Sequence, residues 1–378
     1  MHNFRSTAAL AILGLFFAIP IQAAECDLQA AIVPEADIVG QFDLDKMAAT
    51  PFSKAMDKKE DPLQKEILDQ LGIASEDVTR VVLSMSLKGI DAAGDKVPLV
   101  FAAASRKPLD LKKISDFIVK KAGESKKPLA IQGLELEGQP AIKIENDKGK
   151  ELTIFLSLSK DAKVMFVAFD ENLLAAMIKR SIAGQAVPLS KELDALCQST
   201  TASQMRFCCV LPEALREKLR AAGKANPEAD NNPMGGFSTA FRGLEKLSWT
   251  ADCDDKMQMK LSFDLGSPED AKKGAGAIKG MIDMLTGLVT MQVVQDQKLA
   301  PVLELLQGIA IKDADKNLAV NMVLSIELTK KLQETMKMFE AEAKAKPTAP
   351  GVGVETEEIP VELIKPAEPD KPAIPAAK

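Results

Sequence analysis

The sequence predicts an α+β chain built as two tandem related lobes, each an antiparallel sheet with helices packed on one face, followed by a disordered Pro-rich C-terminal tail. Three observations carry this: runs that alternate apolar and polar residues, capped helical runs that interrupt them at matching places, and one order of elements met twice. With 378 residues, 46% of them hydrophobic, the chain is long enough for two ordinary domains with a core in each.

The first residues set the compartment. Arg5 gives a positive start, Ala8 to Ile19 an apolar run, and Pro20-Ile21-Gln22-Ala23 a turn with a small-residue exit, the pattern of a cleavable signal peptide over 1–23. The apolar run is about a dozen residues, short of the ~20 that span a bilayer. Glu25 directly before Cys26 does not suit the small-residue site that lipidation requires. The expected location is therefore the periplasm or the extracellular space, where disulfides are permitted.

The first lobe, 24–182, opens with ADIVGQFDLDKMAATPFSKAM (36–56), a strand turning into a helix. In VTRVVLSMSLK (78–88), Val81, Leu83, Met85 and Leu87 share one face, and Arg80, Ser84, Ser86 and Lys88 the other. That is the period of a strand. KVPLVFAAAS pairs with it, and PLDLKKISDFIVKKAG follows as a helix with Leu111, Ile114, Phe117 and Ile118 at helical spacing and Gly123 as its stop. A hairpin over 141–159, the strand VMFVAF (164–169) and a helix from Asp170 close the lobe. Residues 183–202 read as a linker with a short helix.

The second lobe, 203–344, repeats the order. SQMRFCCVLPEALREKLRAAG (203–223) is strand then helix, and LEKLSWTADC pairs with KMQMKLSFDL. Ser267, Pro268 and Asp270 form a capping signal for a helix to about Leu288. A hairpin over 308–327, aligned with 141–159, and the helix LTKKLQETMKMF complete the unit. Residues 223–236, rich in Gly, Pro and Asn, read as a mobile loop, and 345–378, punctuated by seven prolines from Pro347 to Pro375, as a solvated tail.

Absent residues narrow the chemistry. His2 is the only histidine and leaves with the signal peptide, and there is no tyrosine. Ser-His-Asp and Cys-His nucleophile systems and histidine zinc sites are then unavailable to the mature chain. Lys+Arg 48 against Asp+Glu 54, with 4% aromatic residues, offers neither the basic patch nor the stacking rings that nucleic acid calls for. No cofactor is implied.

Five cysteines, Cys26, Cys197, Cys208, Cys209 and Cys253, are read as disulfide partners or buried structural thiols. On a strand, Cys208 and Cys209 point to opposite faces, so they neither bridge each other readily nor grip one metal ion. Cys209 is expected on the core face with Met205, Phe207 and Leu211. Cys197 and Cys253 are read as remote from the pair in sequence, so it lacks partners for a metal site, and Cys253, ending the series Leu247, Trp249, Ala251, is the expected disulfide partner of Cys209 in the same sheet.

Two further motifs resolve to structure. DADKN (313–317) opens like a calcium loop but has Leu318 where glycine is needed and Leu324 where glutamate is needed, so it reads as a hairpin turn. GAGAIKG (274–280) lies inside a helix already capped at Ser267, where it presents no phosphate cradle. Met281, Met284, Met291, Met336 and Met338 read as soft packing against the core, with thioether ligands for copper as the alternative and a methionine-lined space for an apolar ligand as a further reading.

The stretch PEADIVGQFDLDKMAATPFSKAM resembles the start of an uncharacterised group of secreted bacterial proteins in which a strand ending in Asp-Leu, here Asp43-Leu44, runs into a helix carrying Ser-Pro or Thr-Pro, here Thr50-Pro51. The resemblance implies no established activity and transfers no catalytic residue. Taken together, the sequence predicts a secreted, non-enzymatic binding or scaffold protein for an unknown protein or envelope component. A carrier of an apolar ligand such as a lipid is the second reading, and a thiol-dependent enzyme using Cys208 or Cys209 the third.

Overall fold

The computed structural model describes residues 25–56, 66, 70, 73–88, 97–124, 129–146, 153–224 and 241–345. The expected signal peptide, residues 225–236 of the expected loop, and the expected tail beyond Ala345 lie outside the described residues. The chain divides into a body, Met1–Thr335, and a second unit, Met336–Lys378.

Helix α1 (Glu25–Ala30) precedes β1 (Ile38–Asp43), which runs straight into α2 (Leu44–Ala48) and α3 (Pro51–Ala55). The Asp43 side chain caps α2 by accepting from the Lys46 N–H, and Thr50 caps α3 with Pro51 in its first turn. The Asp-Leu and Thr-Pro pairs thus mark two helix starts, as N-capping chemistry requires. Then come β2 (Val78–Met85), β3 (Leu99–Ser105), α4 (Leu111–Glu124), β4 (Leu129–Leu136), β5 (Gln139–Asn146), β6 (Thr153–Leu158), β7 (Val164–Ala168) and α5 (Glu171–Ala183). Strand β4 was not anticipated. It turns into β5 through Glu137 and Gly138, both at positive φ (49° and 73°), the backbone of a tight hairpin.

Helix α6 (Lys191–Ser199) leads to β8 (Met205–Val210), α7 (Glu213–Lys224), β9 (Leu244–Cys253) and β10 (Lys256–Leu265). Next are α8 (Pro268–Val293), α9 (Ala300–Gln307), β11 (Ala310–Ala314), β12 (Asn317–Ser325) and α10 (Ile326–Ala345). The Ser267 hydroxyl accepts from the Asp270 N–H at 3.1 Å to start α8, as its sequence predicts. Asp315, at φ 52°, turns β11 into β12. DADKN is therefore the hairpin turn read from its sequence.

The twelve strands among the described residues form one antiparallel sheet, in the order β11-β12-β10-β9-β8-β1-β2-β3-β7-β6-β5-β4. The strands assigned to two lobes meet where β1 pairs with β8, with Ile38 opposite Cys209 and Phe42 opposite Met205. Outward from this seam the halves run alike: β7 lies beside β3 as β12 lies beside β10, each preceded by its hairpin partner and followed by a helix. The strands matching β11–β12 are thus β6–β7, which corrects the alignment of 141–159 with 308–327.

The helices are not confined to one face, a second correction. Every residue from Val100 to Ser105 of β3 and from Val164 to Ala168 of β7 is buried, which alternation with one wet face would not permit. The largest buried cluster joins α4, α5 and α6 to β1–β8 through Phe117, Leu174, Met177, Leu193 and Phe166. In the outer second half, β10 does alternate, with Lys256, Gln258 and Lys260 exposed, and Phe263 and Leu265 buried with Ala271 and Ile278 of α8.

Candidate functional site

Strand β8 lies at the seam with both neighbours paired, so its side chains meet packed elements above and below. The register sets Cys208 beside Val39 and Ser248, and Cys209 beside Ile38 and Leu247. Because successive strand residues face opposite ways, the two sulfurs part company. Cys208 has no exposed surface and shares a core with Cys197 and Leu193 of α6. Cys209, 5% exposed, packs with Ile38 and Leu211 under Leu215 and Leu219 of α7.

Cys197, read as remote, is the neighbour of Cys208. A helix, a tight turn and a strand bring the chain back on itself, and the two thiols lie close enough to shift each other's acidity. Thr200 Oγ1 lies 3.4 Å from Cys208 Sγ and also donates to the Cys197 carbonyl at 3.0 Å. Arg206 donates to the same carbonyl at 3.3 Å and, through its other terminal nitrogen, to Gln41 Oε1 at 2.5 Å. A guanidinium at the end of a helix complements its unpaired carbonyls and partial negative charge. The last turn of α6 is thereby clamped to β8 and β1.

The pair divides its acidity unequally. The hydrogen bond from Cys197 draws the Cys208 thiol below its ordinary range, with Thr200 and Arg206 acting the same way against burial. The hydrogen bond to Cys208, with burial, pushes Cys197 up. Burial raises Cys209 to about 12 and Cys253 to about 11. All four are free thiols. Cys253 pairs across to Met257 and lies six residues along β9 from Leu247, the partner of Cys209. At roughly 3.3 Å per residue that sets Cys253 about 20 Å along the strand from Cys209, too far for the expected Cys209–Cys253 bridge, a correction fixed by the register. The side chain of Cys26 lies outside what is described.

Helix α8 carries the other feature. Ala271, Gly274 and Ile278 bury its first half against the sheet, but Met284, Leu285, Leu288, Met291 and Val294 are exposed by 51, 38, 48, 63 and 84%. Residues 284–295 carry no charge and are bounded by Asp283 and Asp296. Met284, Leu288 and Met291 stand at i, i+4 and i+7, which aligns them on one helical face. The expectation that these methionines pack in the core is corrected, and Met336 and Met338 in the second unit are exposed as well.

A shallow depression of about 500 Å³, lined by Pro34, Glu35, Arg180 and 185–188, opens beside α5. Arg180 there is engaged by the carbonyls of Ala30 and Ile32, joining α1 to α5. Among the described residues no group of three His, Cys, Asp or Glu side chains is placed to hold a metal ion, and no helix is long and apolar enough to cross a membrane.

No family model, curated protein or solved structure matches the chain.

Proposed function

We propose that the chain is an exported, non-enzymatic binding or scaffold protein of the bacterial periplasm or cell surface, and that it docks a protein partner through the exposed face of α8. The observation behind this is the uncharged stripe of Met284, Leu288 and Met291. Contiguous apolar surface on a soluble face marks interaction sites, and methionine adapts to a partner's shape. The stripe has no Lys or Arg and is flanked by Asp283 and Asp296. An anionic bilayer favours a basic polar face, so the fitting occupant is the apolar helix or groove of another protein. The signal-peptide pattern over 1–23 supports export.

The matching order of strands outward from the β1–β8 seam supports an internal duplication, with β4–β5 as an extra hairpin in the first half. The lipid-carrier reading has less behind it, because Met284 and Met291 are exposed instead of lining a space between helix and sheet. The thiol-enzyme reading has least: Cys208 has no exposed surface and Cys209 has 5%.

The test replaces Met284 and Met291 with Asp together. Both are exposed, so the stability of the purified protein should stay within about 0.5 kcal/mol of the parent. In gently solubilised envelope fractions, the parent is expected in a complex larger than the chain, and the variant at the size of the chain alone. Equal sizes for parent and variant would count against the docking face.

A further inference from the structure

We propose that Cys197 and Cys208 are a redox pair that closes to a disulfide, stapling helix α6 to strand β8 at the seam between the two halves of the sheet. The structure describes its dithiol state. Both sulfurs lie in one buried cluster, and helix α6 is pinned there by Thr200, whose hydroxyl touches Cys208 Sγ at 3.4 Å, and by Arg206 on the Cys197 carbonyl. The Thr200 hydroxyl reaches both the Cys197 carbonyl and Cys208 Sγ, so an S–S bond of about 2.05 Å closes by approach of the last turn of α6 toward β8. Cys209 and Cys253 have no such neighbour among the described residues: Cys209 faces Leu215 and Leu219 on the opposite side of the sheet, and Cys253 lies at the far end of β9.

The reaction is thiol–disulfide exchange with an external disulfide. Opening of α6 from its cap at Ser190 admits the oxidant. Cys208, whose proton leaves to water, attacks one sulfur of the external disulfide, and the other sulfur departs as a thiol. Cys197 then attacks the Cys208 sulfur of this mixed disulfide, loses its own proton, and expels the second thiol. Two protein thiols are oxidised by two electrons, and one external disulfide is reduced to two thiols. The lowered pKa of Cys208 suits it to the first attack.

The inference is independent of the docking face, and its test uses purified, folded, full-length protein. The protein is equilibrated with mixtures of oxidised and reduced glutathione, quenched in acid, alkylated and cut with trypsin. Cleavage after Arg206 places Cys197 and Cys208 on separate peptides, so a bridge appears as a linked pair. The expected result is a link between the 192–206 and 207–216 peptides that persists in Cys209→Ser/Cys253→Ser and is absent from Cys208→Ser. Cys197→Ser should stop at a single glutathione adduct on Cys208. A dominant link from Cys208 to any other cysteine, or no oxidation of either residue while the protein remains folded, would overturn the assignment.

Discussion

At the scale of single residues, backbone geometry decides most of what is firm. Adjacent cysteines on a strand diverge whatever surrounds them, so the separation of Cys208 from Cys209 was legible in the sequence alone. The Cys197–Cys208 contact was not, because it depends on how sharply the chain reverses after Ser199, and that reversal is set by Thr200 and Arg206 bonding back to the helix end. Gly243 is a second case of close approach. A Cβ there would lie 2.8 Å from Asp270 Oδ2 and 3.1 Å from the Gly266 nitrogen. The carboxylate is held by the Ser267 hydroxyl at 2.7 Å, and the Gly266 N–H by the Gly243 carbonyl at 2.6 Å. Neither gives way freely, so Gly243→Ala should destabilise the protein by about 1–3 kcal/mol. A denaturant midpoint equal to the parent's would show that this junction has slack.

Elements were legible where local chemistry announces them. Ser267-Pro268 starts α8, Asp170 starts α5 and Gly184 ends it at φ 62°, each a cap with a sequence signature. Strand β4 was missed because LAIQGLEL mixes exposed and half-buried positions around Gly133, and as the outermost strand it needs only one paired neighbour. The methionines of α8 were misread for a different reason. Helical periodicity identifies which residues share a face but not whether a sheet lies beneath it. The packing on the sheet runs through Ile278 to Ile282, and from Met284 onward the face of Met284, Leu288 and Met291 is left exposed.

For the whole molecule, element order was readable and its assembly was not. Strands joined by hairpins are local, but β1 and β8 are paired across more than a hundred and fifty residues of chain, and no short-range pattern signals such a contact. That pairing turns two expected lobes into one sheet, which has a thermodynamic consequence. Phe166, fully buried in β7, belongs to the first half, whereas the only tryptophan, Trp249, lies on β9 in the second. Phe166→Ala should cost about 3–5 kcal/mol. If the sheet unfolds as a unit, the Trp249 fluorescence transition will move to lower denaturant together with the far-ultraviolet signal. A Trp249 midpoint that stays in place would mean that the halves unfold separately.

The central claim is that the exposed face of α8 meets a protein partner after export. Its most direct test places a photo-crosslinking amino acid at Met284, Leu288 and Met291, and at Lys272 and Lys279 for contrast, in cells exporting the full chain. The account predicts one discrete protein adduct at the three stripe positions, little at the two lysines, and loss of the adduct when the other stripe methionine is changed to Asp. Adducts of equal strength at all five positions, or none at the stripe, would contradict it.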